Sequence, residues 1–323
     1  MVSAGAAVST SVGGPSPVDF LLVPKFSMMA FAAAVEPLRV ANRLAGKDLY
    51  GWRILTVDGA PVEASNGMSL IADGRLDGAA DLPRLVVCAG FEPQLHYDRA
   101  LRAALRRIAR AGGDLGAMDT GSFLLAWAGL LDFYRATTHW ESLDSFQEQF
   151  PRVQVTSFLF EIDRNRFTCA GGTAALDMML HIIRLEHGPQ LAAAVSEQFI
   201  HAPIRRADEA QRMAPPVRHG ITHRKLARAV TLMESRLEEK LSCVEICHET
   251  GLSERQLERL FHRHFQRSPA RYHRDLRLQR AKALLQYSDM SVMEIGIACG
   301  FGSLAHFSRS YRGWSGKPPR AER

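Results

Sequence analysis

Ala117-Met118-Asp119-Thr120-Gly121 joins a strand-like run to a helix-like one, with small residues flanking a single acid. A sharp strand-to-helix turn of this kind projects one side chain above the sheet, as a nucleophile elbow does. Thr137-Thr138-His139-Trp140 sets a histidine twenty residues further on, which without a thiol has nothing to activate. A carboxylate is a far poorer acyl-transfer nucleophile than a thiolate, and no cysteine stands at the turn. The second constellation is a repeat. Gly251-Leu252-Ser253, Arg259, Phe261 and Pro269 recur as Gly300-Phe301-Gly302, Arg309, Tyr311 and Pro319, with the arginine, aromatic and proline all offset by fifty. A short amphipathic helix, a glycine turn and a second helix make a helix-turn-helix. The glycine permits the left-handed conformation that ends one helix, and Ser253 and Ser303 can cap the next.

These groups need elements to position them. Apolar runs at 19–24, 52–57, 85–88 and 114–118, with weaker ones near Val153 and Phe167, read as strands. Helical patterns at 28–44, 98–111, 122–130 and 173–186 alternate with them. That alternation predicts an α/β unit, a parallel sheet sandwiched between helices. The pattern lapses over 208–219, where Met213-Ala214-Pro215-Pro216 cannot continue a helix, and only short helices follow. The expected organisation is a disordered tail (1–16), a sensing domain (17–207), a linker (208–219) and an all-α domain (220–323).

At 323 residues, two or three domains are expected, and 46% hydrophobic composition excludes a disordered chain. No apolar stretch suffices for a membrane-spanning helix, and the uncharged first residues make a poor signal peptide. Five cysteines at irregular spacing argue for the reducing cytoplasm. Cys243 and Cys247, with His248, lack the further ligands of a metal site and read as ordinary buried residues. The net charge of +6 is lopsided: residues 209–323 hold 21 Lys and Arg against 12 Asp and Glu, and the remainder 19 against 22. A basic third joined to a slightly acidic remainder points to a module that faces nucleic acid.

The stretch from Glu254 to Pro269, Arg277-Leu278-Gln279-Arg280-Ala281, Ile297-Ala298-Cys299-Gly300-Phe301 and His306-Phe307-Ser308-Arg309 resembles the DNA-binding domain of AraC-type transcriptional regulators over about residues 222–320. The resemblance implies two helix-turn-helix units bridged by a long helix at 269–286, with recognition helices at 254–265 and 303–311. One departure is Ser315, where the family carries an aromatic that is here displaced to Trp314. First-turn residues of a recognition helix enter the major groove, which selects Arg255, Glu258 and Arg259 in one unit and Leu304, Ala305, His306 and Arg309 in the other. Arg255 is the best candidate to bridge guanine O6 and N7. Leu304 and Ala305 offer apolar contact only, so the second unit either reads thymine methyls or chiefly holds phosphates. Arg271, Arg274 and Arg277 either track phosphate or line a solvated helix face.

Residues from about 17 to 205 resemble the class-I glutamine-amidotransferase-like superfamily, in the branch fused to AraC-type domains. Beside the elbow, the similar stretches are Glu36-Pro37-Leu38-Arg39-Val40-Ala41-Asn42-Arg43, Ala170-Gly171-Gly172-Thr173-Ala174-Ala175-Leu176-Asp177-Met178-Met179 and Ser196-Glu197-Gln198. The resemblance implies a flavodoxin-like fold. Hydrolytic members carry cysteine where this chain has Asp119, so the expectation is lost chemistry, no catalytic residue, and a pocket that binds. Asp119, Thr120, His139, Trp140 and Phe123, with Trp127 and Tyr134 nearby, would suit a cationic amine or amino acid. Glu36 either pairs with Arg39 or projects into that pocket from a helix kinked at Pro37. The bland alternative makes Asp119 a helix cap and the aromatics and His139 core.

Together these readings imply a one-component regulator, an activator of catabolic genes. Its expected partners are double-stranded DNA, a small-molecule effector and RNA polymerase, with a homodimer allowed and no cofactor. The rivals are a residual hydrolase or amidotransferase tethered to DNA, and an architectural nucleic-acid binder whose affinity tracks salt alone.

Overall fold

The computed structural model describes residues 14–76, 82–288 and 290–322, so residues 1–13 of the expected tail lie outside the described residues. Ser16, the last residue of that expected tail, already opens the first strand. The chain divides into two units, Met1–Gln211 and Arg212–Arg323.

In the first unit the strands are β1 (Ser16–Leu22), β2 (Tyr50–Thr56), β3 (Val62–Glu63), β4 (Ser69–Leu70), β5 (Gly74–Arg75), β6 (Arg84–Cys88), β7 (Asp114–Met118), β8 (Arg135–Ala136), β9 (Gln154–Val155), β10 (Phe160–Asp163) and β11 (Arg166–Cys169). Its helices are α1 (Met28–Ala45), α2 (Arg99–Arg110), α3 (Gly121–Trp127), α4 (Leu143–Gln149), α5 (Ala174–His187) and α6 (Pro189–Gln198). Seven strands form one sheet in the order β10-β11-β7-β6-β1-β2-β5, parallel except for β10, which pairs antiparallel with β11. The fold class is therefore as expected, a mostly parallel sheet flanked by helices, with one antiparallel edge strand added. The run near Val153 does not join this sheet; β9 pairs with β8 in a separate two-stranded ribbon.

The central strands β1 and β6 are almost continuously buried, the signature of a parallel sheet covered on both sides. Side chains alternate between faces. Phe20, Leu22, Val86 and Met118 pack with α1, α5 and α6 in the main core, while α3 lies against β6 and β7. Each fully buried side chain of this size contributes roughly 1.5–3 kcal/mol. Helix α1 starts at Ser27, whose side chain accepts from the Ala30 N–H, and ends at Gly46. It is assigned as one continuous helix through Pro37. Pro37 is buried in the face packed on α5 and α6, and that packing offsets the one lost hydrogen bond.

The second unit is helical: α7 (Pro215–Arg218), α8 (Arg224–Ser235), α9 (Cys243–Thr250), α10 (Glu254–Phe265), α11 (Pro269–Tyr287), α12 (Val292–Ala298) and α13 (Leu304–Ser315). The expected linker is thus not wholly irregular. Pro215 and Pro216 cannot continue a helix, but they start α7, where no intrahelical N–H is required. Two helix pairs, α9–α10 and α12–α13, each have their own core. Leu257 and Phe261 pack with Ile246 in one, and Phe307 and Tyr311 with Ile295 in the other. Helix α11 supplies Tyr272 to the first core and Leu278, Ala281 and Leu284 to the second, so it bridges them rigidly.

Candidate effector site and nucleic-acid interface

Asp119 follows β7 directly with φ +57°, the left-handed region that a non-glycine residue adopts only at some cost. This is the strained turn of an elbow. Helix α3 begins two residues later, and its N-cap is Thr120, whose side chain makes no capping bond and donates instead to the Gly90 carbonyl at 2.6 Å. The Thr120 main-chain N–H lies near the Asp119 carboxylate and favours its charged form. Its surroundings are crowded although the residue keeps some exposed surface. Burial pushes its pKa from the ordinary carboxylate range up to about 7, the Thr120 N–H pulls it back, and the nearby Glu141 carboxylate raises it further.

The loop after β11 closes the other side. Gly171 has φ +86°, and a Cβ there would stand 2.9 Å from the Asp119 Cβ and 3.0 Å from its Oδ2. Only a glycine allows that approach. Thr138 Oγ1 donates to the Asp119 main-chain oxygen at 2.8 Å, which fixes the turn from a third direction. The loops that follow β6, β7 and β11 therefore meet at the carboxyl ends of parallel strands, where open α/β sheets bind ligands.

The other expected ligand residues fall in different places. His139 and Trp140 are adjacent rings 5.4 Å apart, partly exposed, and His139 Nδ1 lies 3.9 Å from Glu141 Oε2. Phe123 is corrected. It is fully buried, 4.9 Å from the Phe146 ring and 5.6 Å from Trp127, in an aromatic core that also takes in Phe150. A helix face of aromatics gives the same spacing whether it meets a pocket or a core, so sequence could not separate the two. Tyr134 is half-buried under the Arg164 guanidinium, 3.6 Å from its ring centre. Glu36 pairs with Arg39 at 2.6 Å on a partly exposed side of α1, the ion-pair alternative of the two. Glu141, which sequence reasoning passed over, is the second carboxylate near Asp119; its position next to Thr137-Thr138-His139-Trp140 was the available signal.

In the second unit both turns take the expected form, with Gly251 at φ +64° and Gly300 at φ +70°. Ser253 accepts the Gln256 N–H while Gln256 reaches back to the Ser253 N–H, a full capping box, and Ser303 accepts the His306 N–H. These caps hold α10 and α13 with Arg255, Glu258, Arg259, Leu304, Ala305, His306 and Arg309 all exposed. Helix α13 ends in a left-handed Gly316, and Trp314 packs 5.9 Å from Tyr311, so the displaced aromatic still serves the last helix. Arg277 is corrected: it is buried, donates from Nε to the Cys299 carbonyl at 2.6 Å and stacks 4.4 Å from the Phe301 ring. It fastens the second turn instead of meeting phosphate. Arg271 and Arg274, with Arg267 and Arg309, line a groove of about 450 Å³ between α11 and α13. Asp275 pairs with Arg267 at 2.9 Å and lies 3.7 Å from Arg274.

Comparisons with known proteins agree with this architecture at both ends. The DJ-1/PfpI family matches residues 20–185, and a helix-turn-helix domain family matches residues 246–323. The chain is 48% identical over 304 residues to the HTH-type transcriptional regulator CdhR of Pseudomonas aeruginosa, covering 94% of this chain and 90% of that one. It is 47% identical over 311 residues to GbdR, an HTH-type transcriptional regulator of the same species, covering 96% and 84%. A solved AraC family transcriptional regulator from Pseudomonas putida superposes with a TM-score of 0.52 at 32% identity, over 57% of this chain and all of that one. The chain belongs to the AraC-type transcriptional regulators that carry an N-terminal DJ-1/PfpI domain. The named relatives are regulators, not enzymes, and no described helix is long and apolar enough to cross a membrane.

Proposed function

We propose that this regulator answers to a cationic small molecule, an alkylated amine or a basic amino acid, held at the elbow by Asp119. The observation that carries this reading is the carboxyl of Asp119, strained in backbone and crowded enough to titrate near neutrality, with Glu141 adding negative potential. A desolvated carboxyl with no ion pair among the described residues gains strongly from a cation brought to it. His139 and Trp140, which follow the Thr138 bonded to the Asp119 main chain, are the rings we assign to the cation. With aspartate at the elbow, the domain binds without acyl-transfer chemistry. DNA is read by α10 through Arg255, Glu258 and Arg259 and by α13 through Leu304, Ala305, His306 and Arg309, while the groove of Arg267, Arg271 and Arg274 takes phosphate. Effector binding shifts the population of DNA-competent states and favours activation, with RNA polymerase as the downstream partner.

The test is the melting of the full chain with choline, glycine betaine or L-arginine as probes. A ligand at a hundred times its Kd stabilises the folded state by about 2.7 kcal/mol, which is roughly 5–10 °C for a domain of this size. A rise with at least one probe supports the reading. No rise with any of the three rejects it.

A further inference from the structure

The sensor unit ends at Gln211, and its last eleven residues, from His201, carry contacts back to the elbow region. His201 and Arg205 both bond to Asp177, which is fully buried in α5; Arg205 donates to it from N, Nε and Nη2 at 2.8, 2.9 and 2.6 Å. The same Nη2 donates to Thr173 Oγ1 at 2.7 Å, two residues beyond the Gly171 that abuts Asp119. Further along, the Leu159 N–H is shared between the Ala207 and Glu209 carbonyls, and Ala210 bridges to Phe158. The segment closes with Gln211, whose Nε2 donates at 2.9 Å to Thr137 Oγ1, to the Thr138 carbonyl and to the Phe158 carbonyl.

We propose that Gln211 is a latch through which the elbow controls the chain leading to the DNA-binding unit. The inference rests on the elbow being the effector site and deepens that reading by naming its regulation. Thr138 is the common member: its hydroxyl donates to the main chain of Asp119, and its carbonyl receives Gln211. Thr137 is held equally firmly to the elbow helix, since Ser122 of α3 donates to its carbonyl at 2.7 Å. A ligand that moves the Asp119 backbone therefore disturbs the groups that receive Gln211. On the other side, the Gly171–Thr173 loop touches both Asp119 and Arg205. The latch is weakly seated, because Gln211 Oε1 is buried with no hydrogen-bond partner among the described residues. An unpaired buried acceptor lowers the net gain of docking and lets small shifts release it.

Limited trypsin digestion of the full chain reads the latch, since cleavage after Arg212 follows the population in which the segment is released. Thr138→Val, which loses the bond to Asp119, should speed that cleavage about fivefold, the effect of one ordinary hydrogen bond, and Gln211→Ala, which loses three, by at least that much, while Thr138→Ser stays at the wild-type rate. Gln211→Glu, which sets a carboxylate against two carbonyl oxygens, provides a second releasing variant should Gln211→Ala or Thr138→Val fail to melt cooperatively. Wild-type cleavage in both Gln211 variants overturns the proposal. So does fast cleavage in the Gln211 variants alone, with Thr138→Val folded and slow, because the elbow would then not be connected. If none of choline, glycine betaine or arginine shifts the wild-type melting temperature, the effector reading fails while these cleavage rates still decide the latch.

Discussion

Replacing Asp119 by asparagine separates charge from shape at the elbow. The amide keeps the size of the side chain and an oxygen for the Thr120 N–H, and it removes the ionisable group. In the folded protein that group titrates at about 7 because of burial, whereas an unfolded chain gives an aspartate about 3.9. A carboxyl whose pKa is raised by folding contributes stability that is fully present below the unfolded value and lost as pH rises through the folded one. Between pH 5 and pH 8 the full shift would amount to about 2.7 kcal/mol at 1.36 kcal/mol per unit. Asp119 keeps some contact with solvent, which brings the expectation to roughly 1–2 kcal/mol. Urea denaturation of wild type and Asp119→Asn at the two pH values measures it. The variant should gain on wild type as pH rises, and its affinity for a cationic probe should fall by about one to two orders of magnitude, the loss of a charged hydrogen bond. A pH-independent difference together with unchanged probe affinity would refute the reasoning and leave Asp119 a structural turn residue.

In wild type, probe binding should weaken as pH falls below about 7, up to tenfold per unit, because the cation needs the ionised carboxylate; isothermal titration at pH 5.5, 6.5 and 7.5 checks this. Gly171→Ala should displace the elbow and cost about 1–3 kcal/mol of stability, read by denaturation, with weaker probe binding. Arg255→Ala should relax the preference at one base position by about 1–3 kcal/mol in competition binding; a uniform loss would assign it to phosphate. Arg271→Ala should instead weaken binding to all duplexes alike and reduce the salt slope by about one, measured across salt concentrations.

Much of this site was legible because its signals are local. The apolar runs of β1, β6 and β7 stand out although Asp19 is buried within β1 and Arg84 opens β6, and Ser253 marks the start of α10. The elbow was visible from small residues on either side of one acid. What escaped depends on tertiary partners. The antiparallel β10 is defined by its pairing with β11, not by its composition. Arg277 has the same chemistry as Arg274 three residues earlier, yet one lies over Phe301 and the other in a groove. The role of Glu141 and the docking of Gln211 arise from contacts between distant segments that no spacing rule encodes.

The central claim is that one chain reads two successive major grooves with α10 and α13, under the control of a ligand at Asp119. Its most direct test is hydroxyl-radical footprinting of the full chain on a duplex selected from random sequence, with and without the probe that raises its melting temperature. The account predicts, for each chain, two protected patches of different sequence on one face of the duplex, about 34 Å apart, with occupancy that changes on adding the probe for wild type and not for Asp119→Asn. A single protected groove per chain, or occupancy that ignores the probe in the wild type, would contradict it.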